Sequence, residues 1–397
     1  MEISKRAAEI KQSATLAITA KVKELRAEGV DVIGFGAGEP DFDTPSDIKE
    51  AGIESIRNGF TKYTPVGGIP ELKNAITARI KEDYGIEYAQ DEVMVSCGAK
   101  HTLYNIAQAV LNSGDEVIVP SPYWVSYPAQ IALAGSKAVI AETTLKDGFK
   151  LTPAVLKKKI SRKTRALILN YPSNPTGSTY DENEIKALVD AAVEDEIFII
   201  SDEIYDKILY GGTTHTPVAS LGEEARENSI LVNGVSKTYS MTGWRIGYAA
   251  GGRDVIAAMS RIQGQCTSNP PSMAQMAAVE ALSGEQEVVE RRGEEFERRK
   301  DFIVSRVREI GFECLDPQGA FYIFPSIEKF IGMKFGDREM ENSLDFTDFL
   351  LSQAKVAVVP GIEFGMENHI RISYATSMEN IEEGMNRVEK ALSLLSS

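Results

Sequence analysis

Short apolar runs separated by helical periodicities dominate the stretch from about residue 70 to residue 285. The runs are Val93-Met94-Val95, Glu116-Val117-Ile118-Val119-Pro120, Ala138-Val139-Ile140, Ala166-Leu167-Ile168-Leu169-Asn170, Ile197-Phe198-Ile199-Ile200 and Ile230-Leu231-Val232-Asn233. They are continuous rather than alternating. That pattern suits strands buried on both faces of a mostly parallel sheet. The spacing predicts helices over 69–84, with Pro70 near the start, and over 101–111. The fold class is therefore α/β.

The pattern changes near residue 285. A long, charged helix is predicted over 286–310, and its mixed charges read as a solvated face. Phe321-Tyr322-Ile323-Phe324, Val356-Ala357-Val358-Val359 and Ile370-Arg371-Ile372-Ser373 read as strands of a smaller α+β unit. A last helix is expected after Thr376-Ser377-Met378-Glu379, which has a capping-box pattern. Its apolar face is Ile381, Met385, Val388, Leu392 and Leu395. The expected division is an N-terminal arm over 1–30, a large unit over 31–285 and a small unit over 286–397. Val22 and Leu25 are the arm's docking residues.

Composition narrows the function classes. The 397 residues carry a net charge of −15, which disfavours a nucleic-acid-binding face. Three scattered cysteines, with no CxxC, fit a reducing compartment, and the charged N-terminus lacks an apolar signal core. No apolar run reaches the length of a membrane span. The expectation is a cytoplasmic protein without membrane or nucleic-acid partners. The three histidines, His101, His215 and His369, show no metal-ligand spacing, so no metal is expected. Lysine becomes a candidate proton carrier. Gly34, Gly36 and Gly38 form a G-x-G-x-G loop, with Pro40 and Pro45 where a dinucleotide site needs a helix start. A loop whose backbone passes close to a ligand is the better reading.

Ligands in parallel sheets bind beyond the carboxyl ends of strands. Polar clusters sit there: Ser96-Cys97-Gly98-Ala99-Lys100, Asn174-Pro175-Thr176-Gly177, Ser201-Asp202-Glu203-Ile204-Tyr205 and Ser236-Lys237. The last continues through Thr242-Gly243-Trp244-Arg245. With Arg371-Ile372-Ser373-Tyr374 downstream, this set resembles the class I aminotransferases, in the family's order, over roughly 13–371. These enzymes have the fold type I architecture and hold pyridoxal phosphate on a lysine.

The resemblance implies roles. Lys237 would carry the cofactor and move the substrate's Cα proton. Asp202 would hold the pyridine nitrogen protonated. Tyr205 and Asn174 would donate to the phenolic oxygen. Gly98, Ala99 and Lys100 at a helix start, with Arg245, would cradle the phosphate. The family often has serine three positions before the lysine. This chain has Gly234 there, and Ser236 is the available hydroxyl. Trp124 would face the ring. Tyr63 would reach the phosphate of a neighbouring subunit, which implies a homodimer. Arg371, with the backbone of Gly38, would hold the α-carboxylate.

The chain further resembles a bacterial branch whose members transaminate aspartate and also prephenate. There Lys11, Thr15 and Lys100 would hold a distal carboxylate. The expected activity is ping-pong transfer from aspartate to 2-oxoglutarate, with prephenate as a further acceptor. Alternatives on the same scaffold are an aromatic or alanine aminotransferase or a β-lyase. An alternative of another class is a noncatalytic amino-acid sensor.

Overall fold

Residues 2–4, 7–8, 10 and 14–396 are described by the computed structural model, the side chains of 14–16 excepted. The chain enters through the helix Ala14–Ala27 and the short strand β1 (Ile33–Gly34). Seven further strands form one sheet: β2 (Val93–Ser96), β3 (Glu116–Ser121), β4 (Lys137–Glu142), β5 (Thr164–Asn170), β6 (Phe198–Asp202), β7 (Ser229–Gly234) and β8 (Gly247–Gly251). Their order is β2-β8-β7-β6-β5-β3-β4. Strands β4, β3, β5, β6 and β7 run parallel, while β8 is antiparallel to both its neighbours.

Successive side chains on these strands enter opposite cores. Val117, Val119, Ile168 and Ile200 pack on one face. Ile118, Leu167, Leu169 and Ile199 pack on the other. Burial on both sides is why the strands read as continuous apolar runs. All six runs fall in strands. Strand β8 was not predicted, because Gly247-Tyr248-Ala249-Ala250-Gly251 is poor in strand-favouring residues. It forms by pairing on both edges, with Ala249 and Ala250 fully buried.

The helix predicted over 101–111 begins earlier, at Ala99–Val110, because Gly98 takes φ +88 and starts the turn. The charged helix spans Glu287–Ile310 and buries Phe296, Ile303, Val304 and Val307. It ends at Gly311, whose φ of +106 only glycine adopts easily. Beyond it come β9 (Tyr322–Ile323), the hairpin β10 (Lys334–Phe335) and β11 (Arg338–Glu339), then β12 (Val356–Ala357), β13 (Val359–Pro360) and β14 (Ile370–Ser373). Strand β14 lies between β13 and β9, antiparallel to both. β1 pairs parallel with β12, which joins the N-terminal segment to this C-terminal layer.

The final helix, Met378–Leu392, starts at Ser377, whose hydroxyl accepts from Asn380 N at 3.3 Å. The expected capping box is not formed, because the cap is Ser377 and the third helical residue is then Asn380, not Glu379. Ile381, Met385 and Val388 are buried as the periodicity requires, with Leu392 and Leu395 packed at the margin. Val22 is buried and Leu25 partly so. Among the described residues no helix is long and apolar enough to cross a membrane, and no acid, histidine or cysteine cluster could hold a metal.

Candidate active site

The parallel strands deliver their polar residues to one edge. Asn170 closes β5 directly beside Asp202, which closes β6. Strand β7 ends at Gly234 and the chain turns through Ser236 to Lys237. A cavity of about 390 Å³ opens there. Lys237, Asp202, Asn174, Tyr205, Arg245 and Arg371 all line it. Gly38, Ala99, Lys100, Trp124 and Ser236 also line it.

The Lys237 amine donates to the Gly38 carbonyl. Burial pulls its pKa down to about 8; Glu39 opposes this, while Arg371 and Arg245 add to it. Such an amine is neutral in part at ordinary pH, which a nucleophile requires. Asp202 is buried, with Oδ2 accepting from the Tyr127 hydroxyl at 2.6 Å and Oδ1 from Ile204 N at 3.4 Å. Burial raises it to about 6, against the lowering effect of those two donors.

Arg371 is 1% exposed. Its Nη1 donates to Asn174 Oδ1 at 2.9 Å and its Nη2 to Gly36 O at 2.8 Å, while Nε has no partner. A buried guanidinium without a facing carboxylate has unused capacity for an anion. Asn174 spends Oδ1 on Arg371 and keeps Nδ2 to donate elsewhere.

Arg245 adopts a left-handed backbone, φ +59, which is costly for a residue with a Cβ. Its guanidinium holds Thr242 O at 2.9 Å and Cys97 O at 3.1 Å. That places it against the turn at Gly98, where an added Cβ would strike the guanidinium. The first turn of the Ala99–Val110 helix and a fixed positive charge thus face the same space. Lys100 lies 4.9 Å over the Trp124 ring.

Residues 30–388 match the family Aminotransferase class I and II. The chain belongs to this family. It is 48% identical over 391 residues to the aspartate aminotransferase of Bacillus subtilis (strain 168), covering 98% of each chain. It is 48% identical over 385 residues to the probable aspartate/prephenate aminotransferase of Rickettsia bellii (strain RML369-C), covering 96% of each. The aspartate aminotransferase structure from Rhizobium meliloti superposes with a TM-score of 0.96 at 40% identity over all of both chains. The protein is a pyridoxal-phosphate-dependent aminotransferase with the fold type I architecture.

The aminotransferase's own residues fit that cofactor. A partly neutral amine, a buried carboxylate in need of a cation and an anion cradle at a helix start converge on one cavity. Some expected residues are not among those that line the cavity. Tyr63 is 92% exposed and does not line the cavity of its own chain. Lys11 and the side chain of Thr15 lie outside the described residues. The sequence reading missed Tyr127 and Tyr322. Tyr127 follows Trp124 by three, and its N–H donates to the Trp124 carbonyl at 3.1 Å in the turn that leads into the helix Ser126–Leu133. Tyr322 looked like an ordinary core residue of an apolar strand.

Proposed function

We propose that this enzyme transfers the amino group of aspartate to 2-oxoglutarate, with prephenate as a further acceptor. The observation that carries the reading is Arg371. It is buried, positively charged and unpartnered at Nε, and it lines the cavity that also holds Lys237. A guanidinium in that setting selects a carboxylate and fixes its orientation. The names of the relatives support the dicarboxylate. Lys100, over the Trp124 ring and close to Arg245, supplies a second cation on the same cavity. Lys11 and Thr15 remain candidates for the same distal group.

Lys237 would carry pyridoxal phosphate, with Asp202 at the pyridine nitrogen and Tyr205 and Asn174 at the phenolic oxygen. Gly98, Ala99, Lys100, Ser236 and Arg245 would hold the phosphate, joined by Tyr63 of a second copy. When bound, the cofactor supplies an aldehyde for the substrate amine and an electron sink for the Cα pair. Arg371 and the Gly38 backbone orient the substrate so that its Cα proton faces Lys237. Lys237 Nζ would take that proton and return one, serving as the base and acid of the transfer. Asp202 stays ionised and keeps the pyridine proton in place. Trp124 covers the ring and limits water. We further propose a cytoplasmic homodimer; three free cysteines support the compartment.

A panel of amino donors tests the substrate. Aspartate and glutamate should give the highest kcat/KM, and Arg371→Leu should reduce it about tenfold to a hundredfold, as expected for losing charged hydrogen bonds. A preference for alanine or aromatic donors with no use of aspartate would overturn the assignment.

A further inference from the structure

Two buried tyrosines meet at the floor of the cavity. The hydroxyls of Tyr205 and Tyr322 stand 2.9 Å apart, and their rings meet edge to face at 5.8 Å. Tyr205 comes from the segment after β6. Tyr322 opens β9, paired with Ser373, two residues beyond Arg371. The Arg371 guanidinium lies 4.6 Å over the Tyr322 ring. Tyr322 therefore touches both the carboxylate anchor and the phenol read above as the cofactor's donor.

Two hydroxyls that share one hydrogen bond leave one proton free, and its position depends on which of them donates. Burial pushes both phenols up. Tyr205 goes well above the ordinary range, raised further by Tyr322 and Asp202. Tyr322 is raised too, with the Arg371 guanidinium and the hydrogen bond to Tyr205 opposing burial and Glu39 acting the other way; Arg371 also opposes the rise of Tyr205. Lys237 faces the Tyr205 ring at 6.0 Å. The bond is geometrically open to either donor; the guanidinium seated over the Tyr322 ring draws electron density from that phenol and favours Tyr322 as the donor.

We propose that Tyr322 is a positioning residue for amino transfer: its hydroxyl donates to the Tyr205 oxygen and so turns the Tyr205 proton toward the cofactor's phenolic oxygen. The inference rests on the reading that Tyr205 serves that oxygen. A donor there stabilises the anionic oxygen and lets the bound cofactor lose its proton at lower pH. Hydrogen bonds in series also strengthen one another. Removing Tyr322 weakens the donor and raises the midpoint.

The test is a pH titration of the holoenzyme's visible absorbance, without substrate, for the parent, Tyr322→Phe, Tyr205→Phe and the double variant. Phenylalanine keeps the ring beside Arg371 and removes only the hydroxyl. Tyr322→Phe should raise the midpoint by about half a unit to one unit, the equivalent of one neutral hydrogen bond. Tyr205→Phe should raise it further, and the double variant should match Tyr205→Phe alone. An unchanged midpoint in Tyr322→Phe, with a shifted one in Tyr205→Phe, would overturn the role of Tyr322 alone. Single shifts that simply add in the double variant would also overturn it. If Tyr205→Phe does not move the midpoint, the reading of Tyr205 falls, and this inference with it.

Discussion

At Lys237 the cavity sets two opposing demands. The amine must be buried enough to lose its proton, yet close enough to an anion to remain a usable base. Burial wins, and the pKa falls to about 8 despite Glu39. Asp202 moves the other way, to about 6. The signs give a pH window for the cofactor-free protein. Below about 6 Asp202 is neutral and cannot hold a protonated pyridine nitrogen. Below about 8 most of Lys237 is charged and cannot attack an aldehyde. The rate of pyridoxal phosphate capture should therefore rise with pH through 8 and level off above it. Stopped-flow absorbance on the cofactor-free protein measures it. A capture rate that is flat from pH 6 to 9 would mean that the amine is not the titrating group. Lys237, Asp202, Asn174 and Arg245 were legible because each sits in a polar cluster after an apolar run, whereas Arg371, inside the strand Ile370–Ser373, was legible only through the family resemblance. Tyr322 was not, since a tyrosine in an apolar run looks like any core residue, and Tyr127, between Ser126 and Pro128, carries no signal that its hydroxyl meets Asp202.

At the scale of elements, the site depends on tight approaches between loops. Gly98 combines φ +88 with contact against Arg245, so Gly98→Ala meets both a backbone penalty and a clash. The variant should lose about 1 kcal/mol of stability or more, and should hold pyridoxal phosphate at least tenfold less tightly. Equilibrium dialysis and thermal unfolding would check it; unchanged affinity would remove Arg245 and the helix start from the phosphate site. The apolar runs located the parallel strands because residues entering two cores must all be apolar. Strand β8 escaped because glycine and alanine carry little signal, and its place is set by neighbours far away in sequence. The cap of the last helix was displaced by one residue because Thr376 and Ser377 offer competing hydroxyls. Here Thr376 Oγ1 accepts from Asn380 Nδ2 instead.

For the whole molecule, Tyr63 belongs with a set of exposed apolar residues. Ile53 and Ile56 on the helix Ser46–Arg57, and Phe60 beyond it, are exposed and shortly precede Tyr63 in the chain. Exposed apolar side chains of this kind on an otherwise acidic chain suit an interface between copies. If Tyr63 serves the site of a second copy, Tyr63→Ala and Lys237→Ala protomers complement each other. Mixed after dissociation and reassociation, they should regain activity that neither homodimer shows. No gain on mixing, with hybrid dimers demonstrated by mass, would place Tyr63 outside the shared site.

The most direct measurement is the visible absorption of the purified, pyridoxal-phosphate-loaded protein before and after aspartate is added. The account predicts a chromophore that depends on Lys237, bleaches with aspartate and returns with 2-oxoglutarate. A chromophore that ignores aspartate would contradict the substrate. An identical spectrum in Lys237→Ala would contradict the role of Lys237 itself.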